Sequence, residues 1–176
     1  MFALLLLTAC AAPGESKLPL KPGYKAVGDG LKSEHGIQAA AATDKHVFAV
    51  SNTQVALYDR MSGKLLAVSE GKAEHLNSAF VWKGKVYCAH SNYRYFPMTS
   101  SVEVWDARTM QHIGSHSFGI LLGSLTWLDK HDGHWYGAFA NYDRTGRLPD
   151  GTNVQIPYGI VPQLGKISAT VVKFNE

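Results

Sequence analysis

Two short strings carry most of the polar chemistry of this chain, Glu74-His75-Leu76-Asn77-Ser78 and His90-Ser91-Asn92-Tyr93-Arg94-Tyr95. An imidazole at His75 or His90 suits general base work, with hydroxyls and amides nearby to orient a polar ligand. The expected ligand-binding set is Asn77, Ser78, Ser91, Asn92, Tyr93, Ser124, Asn141 and Tyr142, and Tyr93, Tyr95 and Tyr142 offer stacking surfaces for a sugar ring. Glu74 with the side-chain carbonyls of Asn77, Asn92 and Asn141 could hold a hard cation such as Ca²⁺, which wants several oxygen ligands. Glu74 is the only carboxylate read into that set, and a Ca²⁺ site usually wants more charge, so binding is favoured over catalysis. A plainer role competes at each position. Asn at a strand end tolerates the left-handed region and closes its own turn, and Ser or His there bridges neighbouring sheets. His131-Asp132-Gly133-His134 has the spacing of metal ligands, yet it reads better as the end of a hairpin turn over Asp129-Lys130-His131-Asp132-Gly133. There is no P-loop, zincin, G-x-S-x-G or dinucleotide fingerprint.

The elements that must position these residues repeat along the chain. His46-Val47-Phe48-Ala49-Val50-Ser51-Asn52, Lys85-Val86-Tyr87-Cys88-Ala89-His90-Ser91-Asn92 and His134-Trp135-Tyr136-Gly137-Ala138-Phe139-Ala140-Asn141 are three versions of one strand. Each begins on a basic residue, continues with β-branched or aromatic ones and ends on Asn. Apolar segments at 39–43, 79–82 and 124–128 precede them across turns suited to hairpins. A third strand recurs at 54–59, 101–106 and 170–175, where an aromatic is followed by Asp or Asn, and a fourth recurs at 65–69 and 112–118. Val47, Val86 and Trp135 stand 39 and 49 residues apart. Four short antiparallel strands at that period mark β-propeller blades. The expected fold is therefore all-β, a partial β-propeller of nearly three four-stranded antiparallel blades over residues 38–176.

Propeller geometry sorts the polar residues. The d-to-a and b-to-c connections share one face, where both strings above, Ser124 and Asn141-Tyr142 fall, while the His131 hairpin lies on the other. From the strand-ending Asn to the next strand's aromatic, the b-to-c distance grows from 6 to 13 to 33 residues. Loops that lengthen on one face of a rigid scaffold are where function concentrates. Asn77 and Asn92 end adjoining strands, so His75, Asn77, His90 and Asn92 are expected to form one cluster.

The chain has 176 residues, 45% hydrophobic, 11% aromatic and 18% charged, with a formal charge of +3. That composition excludes intrinsic disorder, and the absence of a basic run gives nucleic acid no electrostatic footprint. Residues 1–10 resemble a lipoprotein-type signal, an apolar run ending in Leu7-Thr8-Ala9-Cys10, with Cys10 the lipidated residue. The run is too short to span a bilayer and lacks a basic n-region. The expected address is the cell envelope, periplasmic or extracellular, with membrane contact only through that lipid. Residues 11–37, rich in Pro and Gly, read as an irregular tether. Cys88, inside an apolar strand, reads as packing.

The strings His75-Leu76-Asn77-Ser78, Tyr87-Cys88-Ala89-His90-Ser91-Asn92, Pro97 to Asp106 and Gly114 to Ile120 followed by Gly123 to Trp127 resemble an uncharacterised family of secreted propeller-like proteins from bacteria and fungi. The resemblance covers residues 38–174 apart from the loop 144–165, and implies further blades beyond the equivalent of Glu176. It implies a fold and no settled activity. Three functions remain open: binding a polar small molecule or glycan, a lactonase-like hydrolysis or isomerisation using a cation, and a structural repeat. Partners implied are a polar small molecule or glycan and either remaining blades or another copy, because an open last blade exposes Val171, Val172 and Phe174.

Overall fold

The computed structural model describes residues 30–71, 73–120, 122–140, 144–148, 150–156 and 169–175. The chain divides into two compact units, Met1–Gly30 and Leu31–Glu176, and the described residues belong to the second apart from Gly30. The expected signal at 1–10 with Cys10, and most of the tether, lie outside them.

Among the described residues every regular element is a strand. Blade one is β1 (Ala39–Ala42), β2 (His46–Val50), β3 (Val55–Asp59) and β4 (Leu65–Val68). Blade two is β5 (Leu76–Trp82), β6 (Lys85–Ser91), β7 (Ser100–Asp106) and β8 (His112–Gly119). Blade three has β9 (Ser124–His131), β10 (His134–Ala140) and, after an inserted hairpin of β11 (Arg144–Arg147) and β12 (Asn153–Ile156), β13 (Ala169–Phe174). The sheets run in the orders β1-β2-β3-β4, β5-β6-β7-β8 and β9-β10-β13, all antiparallel. This is the partial propeller read from the repeat, with three strands in its last blade. The β11–β12 hairpin was not anticipated; its main chain joins the 92–97 loop through Phe96 N to Arg147 O (2.9 Å) and Arg147 N to Arg94 O (3.1 Å).

Local chemistry explains the strand ends. Lys83-Gly84 and Asp132-Gly133 both take positive φ at two successive residues, the twist that a two-residue hairpin needs. The blade-three turn is therefore Asp132-Gly133 alone, and β9 runs on through His131, further than the sequence indicated. In the c-to-d turns, Asp59 Oδ1 accepts Ser62 N and Ser62 Oγ, and Asp106 Oδ1 accepts Arg108 N, Thr109 N and Thr109 Oγ1. These bonds, outweighing a little burial, hold both carboxyls below their ordinary range.

The pleat sends alternate residues of each strand to opposite neighbours. Phe48, Val50, Val55 and Leu57 of blade one pack with Leu76, Val86, Cys88, Trp105 and Met110 of blade two. Ala89 and Val102 on the other side of blade two pack with Leu125, Leu128, Trp135 and Phe139 of blade three. Val172 and Phe174, expected to be exposed, are half-buried in that second cluster, with Phe174 edge-on to Phe118 at 5.2 Å; only Val171, on the other side of β13, is open. The lead-in is less free than a tether at its end. Ser33 Oγ bonds Tyr58 Oη at 2.8 Å, and Gln38 N donates to Val50 O at 2.8 Å.

Candidate functional site

The hairpin register decides which polar groups meet. Extending the β5–β6 pairing from Ala79 opposite Cys88 would set Asn77 opposite His90 and His75 opposite Asn92. A bulge between Leu76 and Ala79 sets Leu76 opposite His90 instead. One extra residue changes the pleat parity, and the expected quartet divides. The Asn77 amide donates to Leu125 O of blade three at 2.8 Å. Asn92 closes its own loop, donating to Pro97 O at 2.9 Å and accepting Thr99 N at 2.7 Å. His75 stacks on Tyr93, centroids 4.8 Å apart. His90 lines a cleft between blades one and two.

Three more of the expected binding residues bridge blades two and three. Ser91 and Ser124, both fully buried, share a 2.8 Å hydrogen bond, and Ser78 Oγ accepts Leu128 N at 3.1 Å. Asn141 and Tyr142 lie outside the described residues. His131 and His134 belong to the hairpin on the opposite face, with His131 exposed beside Asp132.

The His90 cleft encloses about 540 Å³ and is lined by Glu70, Glu74, His90, Glu103, Trp105, Gln111 and His112, with Gly71 and Ala73 at its wall. Glu74 also borders a second cleft of about 530 Å³ with Tyr93, Arg94, Tyr95 and Arg147. The expected tyrosines and the expected base therefore flank one d-to-a connection from two sides.

Within the first cleft a hydrogen-bond chain runs across three strands. Ser101 Oγ donates to Glu103 Oε1 at 2.5 Å, so its lone pair receives the Nδ1–H of His90 at 2.8 Å. That chain selects the tautomer protonated on Nδ1 and leaves His90 Nε2 as an acceptor. Ser115 Oγ donates to Glu103 Oε1 at 2.8 Å, and His112 Nε2 to Glu103 Oε2 at 2.7 Å. Burial alone would raise the Glu103 carboxyl; bonds from Ser101, Ser115 and His112, with help from His90, hold it below its ordinary range. Burial lowers His90, more than Glu103 and Glu74 raise it, so the ring is neutral at pH 7. Cys88 is buried beneath, its thiol pushed far up by burial and the Glu103 charge. Trp105, 3% exposed, lines the same cleft with its indole Nε1 buried and without a hydrogen-bond partner.

Glu103, Glu70, Trp105, Gln111 and His112 were not among the expected site residues, and the cleft has three carboxylates rather than Glu74 alone. A signal for Glu103 exists. Register equates it with Ala56 and Val172, paired to Ala49 and Gly137 as Glu103 is to Cys88. A charge where the sister blades are apolar marks a position with another task. Among the described residues no three His, Cys, Asp or Glu side chains converge as a metal ion would require.

No family model and no curated protein matches the chain. Among solved structures it is similar to the computationally designed Ika4 protein, at 16% identity over 74% of this chain and all of that one, TM-score 0.37. It is also similar to the computationally designed Ika8 protein, at 15% identity over 57% of this chain and 42% of that one, TM-score 0.33. Similarity at this level carries no functional argument.

Proposed function

We propose that the protein is a cell-envelope binding module, held at the membrane by a lipid on Cys10, that takes a hydroxylated small molecule or glycan in the cleft between blades one and two. The observation that carries this reading is the Trp105 Nε1–H, a buried donor without an acceptor at a cleft otherwise rich in acceptors. An unmet buried donor costs about 1–3 kcal/mol. A ligand hydroxyl meets both needs, accepting from Trp105 and donating to Glu70, Glu74 or His90 Nε2. Titrating the chain with a panel of neutral and amino monosaccharides, followed by tryptophan fluorescence and NMR, tests it. Saturable binding is expected, weakened about tenfold by Trp105→Phe, the equivalent of one hydrogen bond. Glu74→Gln, a surface change, weakens amino sugars more than neutral ones. Absence of binding across the panel, or affinity indifferent to both variants, overturns the reading.

The relay from Glu103 through Ser101 to His90 favours a second reading, a hydrolase or isomerase with His90 as general base. Turnover of a lactone panel, lost in His90→Gln and rising with pH through the histidine range, separates catalysis from binding.

A further inference from the structure

The three blades share one register, and that makes the outer side of blade three legible position by position. Val50, Ala89 and Ala138 are equivalent, paired with Val55, Val102 and Val171; Phe48, Tyr87 and Tyr136 are equivalent, paired with Leu57, Val104 and Lys173. In blade one this side is sealed by blade two, with Phe48, Val50 and Val55 fully buried. In blade two it is sealed by blade three, with Ala89 fully buried and Val102 6% exposed. In blade three Val171 is 68% and Trp127 43% exposed, and the two flank Ala138 in one row across β9, β10 and β13. The opposite flank of the arc is covered at its centre: Ala49, Ala56 and Tyr58 on the outer side of blade one are buried, with Ser33 bonded to Tyr58, while Ala40, Ala42 and Leu65 at its margins are exposed.

We propose that the outer face of blade three is a dimerisation surface whose occupant is the same face of a second copy, related by a two-fold axis along β10. The charges on the blade-three face are complementary to themselves, so copies pair face to face. That contact closes at two chains, whereas a head-to-tail contact would propagate. The charges fit this axis. The row beside Trp127-Ala138-Val171 is Asp129-Tyr136-Lys173, with Asp129 on β9 and Lys173 on β13. Rotation about β10 exchanges β9 for β13, so each Asp129 faces the other copy's Lys173 and each Trp127 faces the other's Val171. Stacked sheets lie about 10 Å apart, within reach of both pairs. One three-stranded face is smaller than a standard interface, so the dimer is concentration-dependent.

Sedimentation of the chain from about 1 μM to about 1 mM, the range of weak complexes, tests the proposal. A two-chain species growing with concentration is expected, and Val171→Asp returns it to monomer. Asp129→Lys and Lys173→Asp each weaken self-association about tenfold through like-charge contacts. Mixed together, the two variants pair with each other, because both contacts are then attractive; destabilised folding cannot produce that recovery. Thermal melts confirm that each variant is folded. A chain monomeric throughout overturns the proposal. Open-ended oligomers, or association unaffected by the charge reversals, overturn it equally.

Discussion

At the scale of single residues, the chemistry of the cleft turns on whether charge is carried or withheld. Glu103 titrates below its ordinary range in the folded chain, so its contribution is present above the unfolded value of about 4.5 and is lost as pH falls through the folded one. His90 is also lowered. The unfolded ring takes a proton below about 6.5 while the folded ring resists, so this group too makes the fold less stable on acidification. Melting temperature should therefore fall from pH 7.5 to pH 4, and Glu103→Gln should flatten the lower part of that slope. A profile unchanged by the substitution would show that the network does not couple protonation to folding. Cys88 gives a second check. Fully buried and held as a thiol by burial and the Glu103 charge, it should resist alkylation at pH 8 in a Cys10→Ser background. Labelling as fast as a free thiol would mean that the blade one–two interface opens readily.

Turns and hairpins show the same element solved with different residues. Gly63 and Met110 occupy equivalent positions, each N–H closing on an Asp carbonyl at 2.9 Å, and both have positive φ. At 110 a buried Met offsets the strain of the left-handed region through its packing. At 63 a Cβ would meet Leu31 Cδ1 at 3.2 Å and bring no burial in return. Gly63→Ala should cost about 1–2 kcal/mol in denaturant unfolding, the left-handed penalty for a residue with a side chain. A neutral result would mean that this turn relaxes to another type. Gly137 is constrained differently, by proximity: a Cβ there would lie 3.0 Å from Leu125 and 3.1 Å from Phe139. It lets strand β10 close on the blade two–three cluster.

Over the described residues, the two larger apolar clusters lie between blades, and only the small Ala49, Ala56 and Tyr58 cluster belongs to blade one alone. Val86 and Ala89, three residues apart on β6, serve different interfaces. Unfolding should then be a single transition for residues 31–176. Phe48→Ala at one interface and Phe139→Ala at the other should each lower it by about 3–5 kcal/mol, the range for deleting a buried aromatic. Two separable transitions, one sensitive to each substitution, would contradict this and make the blades independent units.

The strand grammar is legible in the chain because alternation, hairpin turns and strand-ending Asn are local features with period two. Most strand limits agree within one or two residues, and the blade count follows from the repeat alone. The presence of a blade-three hairpin turn ending on Gly133, the burial of Cys88 within an apolar run and the separation of His131 from the polar face all belong to the same class of local information. The site is different in kind. Which neighbour a side chain faces depends on pleat parity, and one bulged residue between Leu76 and Ala79 reverses it, turning Asn77 to blade three and leaving His90 towards blade one. No propensity marks that bulge. Glu103 acquires its partners from three strands, β6, β7 and β8, and the Trp105 indole N–H is left buried and unpaired at the cleft those strands help to line. Those are consequences of packing between segments distant in sequence, and packing is where a one-residue shift in register becomes a different binding cleft.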